Sequence, residues 1–165
     1  MDVAAKVASV PATPAERVEL LRSTDYAGKI ICDVGAGTGR LLEPVAAVAR
    51  RVYAVEPVAN LRKFLESKFS EHREKLFVLD GLITDIPLPD NTCDILLSGH
   101  VFGDAPDDEL SEMERATKPG GMVILCPGNS NVDNDAHGAL VGHEYEWSVF
   151  HEPVDGAKRK YWRIV

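Results

Sequence analysis

Residues 29–40, KIICDVGAGTGR, run from a short apolar stretch into a loop with glycine at every second position: Gly35, Gly37 and Gly39. A short apolar run that ends in glycines suits a buried strand, here residues 29–34. The loop then lies at the carboxyl end of that strand, where ligands bind in doubly wound sheets. Glycine there allows a tight turn and lets a ligand approach the backbone where a Cβ would clash. Two common nucleotide-binding motifs fail on spacing. The dinucleotide motif G-x-G-x-x-G needs glycine where Arg40 stands, and the P-loop needs a lysine directly after Gly39.

Outward from this loop, strand-like and helix-like segments alternate. A helix is expected over residues 39–49, with Pro44 tolerable near its first turn but a kink later. Residues 51–56 (RVYAVE) read as a second strand, and Val58, Leu61, Phe64, Leu65 and Phe69 then recur at helical spacing. Residues 76–79 form a third strand and 94–98 (DILLS) a fourth. Residues 106–118 open on Asp107, Asp108 and Glu109 and close on a lysine, the order a helix dipole favours. Lys118-Pro119-Gly120-Gly121 stops that helix before a fifth apolar strand at 122–126. Upstream, Thr13 caps a helix that begins at Pro14 and runs to about residue 23, with Glu16 completing a capping box. The alternation predicts a parallel sheet covered on both faces. The tail differs. A short helix is expected over 134–141, then Tyr145, Trp147 and Val149 alternate with polar residues. Asp155-Gly156 is a turn signal, and Trp162 and Ile164 alternate beyond it. This predicts an antiparallel hairpin that completes the sheet.

The 165 residues suit one domain, with residues 1–12 as a flexible arm or lid. An apolar share of 45% and a charged share of 27% are those of an ordinary globular chain. The formal charge of -8 argues against nucleic acid as a partner, since non-specific affinity comes mainly from neutralising phosphates. The one dense basic cluster, Lys158-Arg159-Lys160, reads as a solvated turn or strand end. Cys32, Cys93 and Cys126 lie in or beside apolar runs without a Cys-x-x-Cys pair, so reduced buried thiols and a cytoplasmic location are expected. No apolar stretch approaches the ~18 residues of a membrane span, and the N-terminus is a poor signal peptide. No histidine spacing such as H-E-x-x-H occurs, so no metal is expected.

Glu56 ends the second strand, 21 residues after Gly35. A carboxylate at that place can accept hydrogen bonds from both hydroxyls of a ribose. The alternative is a surface acid paired with Arg51 or Lys63. With D-V-G-A-G-T-G-R, Glu56, D-I-P-L-P-D-N-T-C-D and K-P-G-G in this order, the chain resembles the class I S-adenosylmethionine-dependent methyltransferases. The resemblance spans roughly residues 28–127. It implies an α/β, doubly wound Rossmann-like sheet of seven strands, mostly parallel, ending in an antiparallel hairpin. It also implies S-adenosylmethionine as cofactor and S-adenosylhomocysteine as product. The glycine loop would lie under the methionyl part and Glu56 on the ribose. The implied cofactor contacts are Asp33, Gly35, Ala36, Gly37, Thr38, Gly39, Glu56, Pro57, Leu82, Ile83, Ser98 and Gly99.

One departure stands out. Where the family often has Gly-Asp-Ala, this chain has Gly81-Leu82-Ile83, so Leu82 replaces the acid that meets the adenine amino group. The Ile83 N–H remains able to meet a ring nitrogen, both side chains can pack on the ring, and Asp80 is a possible substitute acid. His100, just beyond the fourth strand, is the candidate general base, with a pocket-wall histidine as the alternative. Asp104, Asn129, Asn131, Asp133 and His137 are candidates for acceptor binding. The expected function is methyl transfer to a small-molecule acceptor, without nucleic acid or membrane as partner. A protein acceptor, or a non-catalytic module that only binds the cofactor, are the alternatives. Sequence leaves the oligomeric state open.

Overall fold

A computed structural model describes residues 14–128 and 131–165. Thr13, the expected helix cap, and Asn129 lie outside the described residues, as does the expected arm or lid at residues 1–12. The elements in chain order are α1 (Pro14–Ser23), β1 (Ile30–Val34), β2 (Arg51–Val55), α2 (Ala59–Lys68), β3 (Leu76–Leu79), β4 (Cys93–Gly99), α3 (Pro106–Ala116), β5 (Thr117–Cys126), α4 (Asp135–Gly142), β6 (Glu146–Glu152) and β7 (Gly156–Ile164). They form a seven-stranded sheet in the order β3-β2-β1-β4-β5-β7-β6. Strands β1 to β5 pair in parallel, while β7 runs antiparallel to both β5 and β6. The expected doubly wound sheet with its terminal hairpin is therefore present. Its switch point falls between β1 and β4, the strands that flank the glycine loop.

Strand residues alternate between faces, so the buried sheet feeds two separate cores. On one face Leu41, Leu42, Val45, Ala46, Leu65 and Phe69 pack over Ile31, Ile95, Leu97 and Ile124. On the other, Leu110 and Met113 of α3 and Leu140 of α4 pack over Cys32, Val34, Leu96, Val123 and Leu125. All three cysteines are buried, and none is in a disulfide.

The helix expected over 39–49 does not form as a regular element. Residues 37–48 are instead a run of turns in which Val45 N–H donates to Leu42 O, and Ala46 N–H to that same oxygen. Pro44 explains this, because it brings no N–H and its ring crowds the carbonyl four residues back. The segment still buries its apolar side chains, so the layer survives without the helix. At the other end, α3 stops at Ala116 and β5 already starts at Thr117, upstream of Lys118-Pro119-Gly120-Gly121. Those four residues form an irregularity in the β4–β5 ladder, since Cys93 pairs Thr117 but Ile95 pairs Met122.

The basic cluster is not solvated, which corrects the sequence expectation. Arg159 and Lys160 are buried. Each cation has its own partner: Lys158 with Asp155, Arg159 with Asp133 and Asn131, Lys160 with Glu19 of α1. Successive residues of β7 face opposite layers, and their long stems lie along aromatic rings. Arg159 sits 4.5 Å from the Trp147 ring centre and Lys160 lies 5.3 Å from that of Trp162.

Candidate functional site

The carboxyl ends of β1, β2 and β4 enclose a cavity of about 460 Å³. That is within the usual range for a small-molecule or cofactor site, ~300–1,000 Å³. Its walls are Asp33, Gly35, Ala36, Gly37, Thr38, Arg40, Leu41, Glu56, Leu61, Gly99, His100 and Val101. Eight of the residues singled out from sequence, Asp33, Gly35, Ala36, Gly37, Thr38, Glu56, Gly99 and His100, thus meet in one place.

The glycine loop is held from both sides. Gly35 and Ala36 donate their N–H groups to Val55 O of β2. Lys68, in the last turn of α2, donates to Thr38 O at 2.8 Å and pairs with Glu43. The three glycines are required for different reasons. A Cβ on Gly35 would lie 2.6 Å from a methyl of Val101, and one on Gly39 would run into Phe69 and Leu65. Gly39 is therefore a packing glycine and not a cavity wall. At Gly37, where φ is +55°, a Cβ would meet nothing nearer than Gly35 O at 3.9 Å. The space beside Gly37 is open, so a ligand can lie against bare backbone there.

Glu56 is buried, and its carboxylate is not paired with Arg51 or Lys63. Its Oε2 accepts from Gly37 N–H and its Oε1 from Val58 N–H, both at 2.9 Å. An ionised carboxylate has about four acceptor positions, so one remains on each oxygen. That is the pattern a vicinal diol needs. Arg62 fixes this strand end by donating to the carbonyls of Glu56 and Pro57.

The remaining predicted contacts are not in the cavity wall. Pro57 is exposed beside Glu56, and Ser98 is buried one residue before Gly99. The Ser98 hydroxyl has no hydrogen-bond partner among the described residues. Leu82 is 53% exposed, and its N–H is taken by Asp85 O in a tight turn. Ile83 packs against the core on the α3 side. Asp80 pairs with Arg62 at 3.1 Å and does not line the cavity.

His100 occupies the left-handed region, φ +64°, and its N–H donates to Cys126 O. Its ring lies over Gly128, where a Cβ would fall 2.6 Å from Nδ1. The ring is exposed to the cavity mouth, yet surrounding protein and the charges of Arg40 and Lys158 push its pKa down to about 4. At neutral pH it is therefore an uncharged imidazole.

Two features escaped the sequence reading. Glu109 was assigned to the helix dipole. It is buried instead, and accepts from the N–H groups of Gly103, Asp104 and Ala105, holding the loop that carries Val101 and Phe102. The signal was the sequence Ala105-Pro106, which offers no polar cap and leaves these amides in need of an acceptor. The second is that the acceptor candidates divide. Asn131 and Asp133 are bound to Arg159, while His137 meets Tyr161 OH at 3.0 Å and the edge of Trp147. Their visible work is to tie the β5–α4 loop to the hairpin. Among the described residues no three His, Cys, Asp or Glu come together as a metal site, and no helix is long and apolar enough to cross a membrane.

The family described as methyltransferase domain matches residues 32–125, from the middle of β1 almost to the end of β5. The chain belongs to the class I S-adenosylmethionine-dependent methyltransferases. The chain is 29% identical over 142 residues to an uncharacterized methyltransferase of Geobacillus kaustophilus, covering 84% of the chain and 64% of that protein. It is 38% identical over 144 residues to a Drosophila ananassae histone-arginine methyltransferase, covering 82% of the chain but 26% of the relative. The chain thus spans less than two thirds of the curated relatives it matches. A solved S-adenosylmethionine-dependent methyltransferase from Aquifex aeolicus superposes over 100% of both chains with a TM-score of 0.74 at 19% identity, a likeness of fold. The cofactor of the family is S-adenosylmethionine, and the site fits it: open backbone at Gly37 and free acceptor capacity on Glu56.

Proposed function

We propose that this methyltransferase methylates a small-molecule acceptor at the mouth of the cavity, beside His100. Bound in the cavity, S-adenosylmethionine supplies an electrophilic methyl group on its sulfonium. The protein's own contribution is then mostly position. Glu56 and the N–H of Ile83 are the contacts assigned to the ribose and the adenine ring. Asp33, the glycine loop, Ser98 and Gly99 are assigned to the methionyl part. Holding an acceptor in line for displacement is a proximity effect that needs no further covalent chemistry.

The observation that carries the proposal is the placement of His100 in the same cavity wall as Gly37 and Glu56. Its ring is neutral at physiological pH, so its lone pair is available, as a weak base, for the proton that an acceptor hydroxyl or amine gives up as its own lone pair bonds to carbon. A screen of small acceptors for S-adenosylhomocysteine formation tests this, with product expected from at least one compound class.

The Drosophila relative's name motivates a second reading, a protein acceptor. Turnover on peptides with none on small molecules would favour it. Tight binding of S-adenosylhomocysteine without turnover on either would favour a binding module.

A further inference from the structure

The order of the strands gives the cofactor a direction. They lie side by side as β3-β2-β1-β4, ~4.8 Å apart. The glycine loop follows β1, Glu56 follows β2, and Gly99 ends β4. A cofactor with its methionyl part at β1 and β4 and its ribose on Glu56 therefore carries its base onward, over the end of β3. Glu56 N–H donates to Leu79 O, so the ends of β2 and β3 are level, and the segment that leaves β3 there is 80–85. That segment folds back on itself. Leu82 N–H donates to Asp85 O at 3.2 Å and Asp85 N–H to Leu82 O at 3.1 Å, an isolated antiparallel bridge. Residues that exchange both bonds stand opposite each other, with Cα atoms ~5.5 Å apart and side chains on the same face. The Asp85 carboxylate is thus presented beside the exposed Leu82 side chain. Asp85 is itself exposed, and its carboxylate makes no hydrogen bond or ion pair among the described residues. Asp80, the other acid of the segment, is paired with Arg62. The Ile83 N–H, inside the turn, has no hydrogen bond among the described residues either.

Resting on the reading of this cavity as the cofactor site, we propose that Asp85 accepts a hydrogen bond from the exocyclic amine of the cofactor's adenine and so selects the base. Adenine shows an amine donor next to a ring-nitrogen acceptor along one edge. A carboxylate close to an unbonded N–H is the complement of that edge, and the turn at 82–85 supplies both. Leu82 and Val58, both exposed, then offer aliphatic surface to the faces of the base. The acid that Leu82 replaces has in effect moved three residues along the chain while staying on the same face of the turn.

The test compares S-adenosylhomocysteine with its analogue in which hydrogen replaces the 6-amino group of the base. The analogue keeps the ring nitrogens, the sugar and the methionyl part, so the two ligands differ only in the amine. Both are titrated calorimetrically into the intact chain. The wild type should bind S-adenosylhomocysteine at least about tenfold more tightly, the scale of one hydrogen bond to a charged group. Asp85→Ala should bind the two ligands equally, by losing affinity for S-adenosylhomocysteine alone. Asp85→Asn keeps a carbonyl acceptor without the charge and should fall between. Asp80→Ala and Thr84→Ala, which alter the other polar side chains of the segment, should keep the wild-type preference. Circular dichroism and thermal unfolding confirm that each variant is folded. Equal binding of both ligands by the wild type, a preference retained by Asp85→Ala, or a preference lost in Asp80→Ala or Thr84→Ala would overturn the proposal. Failure of the wild type to bind S-adenosylhomocysteine at all would instead count against the cofactor site.

Discussion

The Glu56 carboxylate accepts a hydrogen bond from the Gly37 amide at 2.9 Å, joining the end of β2 to the centre of the glycine loop. One residue therefore ties down the loop and lines the cavity. Glu56→Ala should weaken S-adenosylhomocysteine binding at least about tenfold by removing charge-assisted hydrogen bonds. It should also lower the melting temperature of the unliganded protein, because the Gly37 and Val58 amides lose their acceptor at a cost of ~1–3 kcal/mol. Calorimetry and thermal unfolding of the same preparation measure both. Unchanged affinity would remove the ribose assignment.

Gly37 and Gly39 should respond differently to the same substitution. Gly37→Val places its side chain in open space, so the protein should fold with modest strain from the left-handed backbone and lose cofactor binding. Gly39→Val drives methyl groups into Phe69 and Leu65 and should unfold the protein or lower its melting temperature sharply. Circular dichroism with a binding assay distinguishes them. Normal binding by Gly37→Val would make that position only a turn.

These two glycines also show how far the sequence could be read. Their spacing after an apolar strand was enough to place a loop at the carboxyl end of β1, and the position of Glu56 was enough to bring it to the same cavity. The separate duties of Gly37 and Gly39 were not legible, because they depend on α2 side chains that return to the loop from about thirty residues on. Strand positions were legible because buried parallel strands are apolar runs bounded by breakers. The 39–49 helix was overestimated because Pro44 is tolerable only near a first turn, whereas in the fold the missing N–H decides. The cluster at Lys158-Arg159-Lys160 was misjudged because its partners, Glu19, Asp133 and Asp155, come from three separate segments.

His100 should stay unprotonated, and so available as a weak base, over an unusually wide pH range. With its pKa down at about 4, the acid limb of turnover should fall near pH 4 and not near the ordinary histidine value of ~6.5. His100→Ala should lower turnover ~10²-fold at neutral pH while cofactor affinity changes little, and the deficit should shrink at high pH as the acceptor ionises unaided. Stability carries the same sign. The folded protein resists the proton that the unfolded chain accepts, so stability present above ~6.5 is lost as pH falls towards 4, and His100→Ala should blunt that loss. Rate–pH and melting–pH profiles of both proteins measure this. Wild-type turnover in His100→Ala across the range would leave the histidine as a wall.

Glu109 should matter more than a helix-dipole residue. Glu109→Ala removes the buried carboxylate that accepts from the amides of Gly103, Asp104 and Ala105, and a loss of ~1–3 kcal/mol is expected from chemical denaturation. Asp108→Ala, in the same turn but on the exposed side, should change stability by less than about 0.5 kcal/mol. Equal effects would return Glu109 to a dipole role.

The most direct test of the account is calorimetric titration of the intact chain with S-adenosylhomocysteine, run alongside Glu56→Ala and Gly37→Val. Saturable one-to-one binding by the wild type, weakened in the first variant and lost in the second, is the predicted result. No binding by folded wild-type protein, or binding that both variants retain unchanged, would contradict the placement of the cofactor between Gly37 and Glu56.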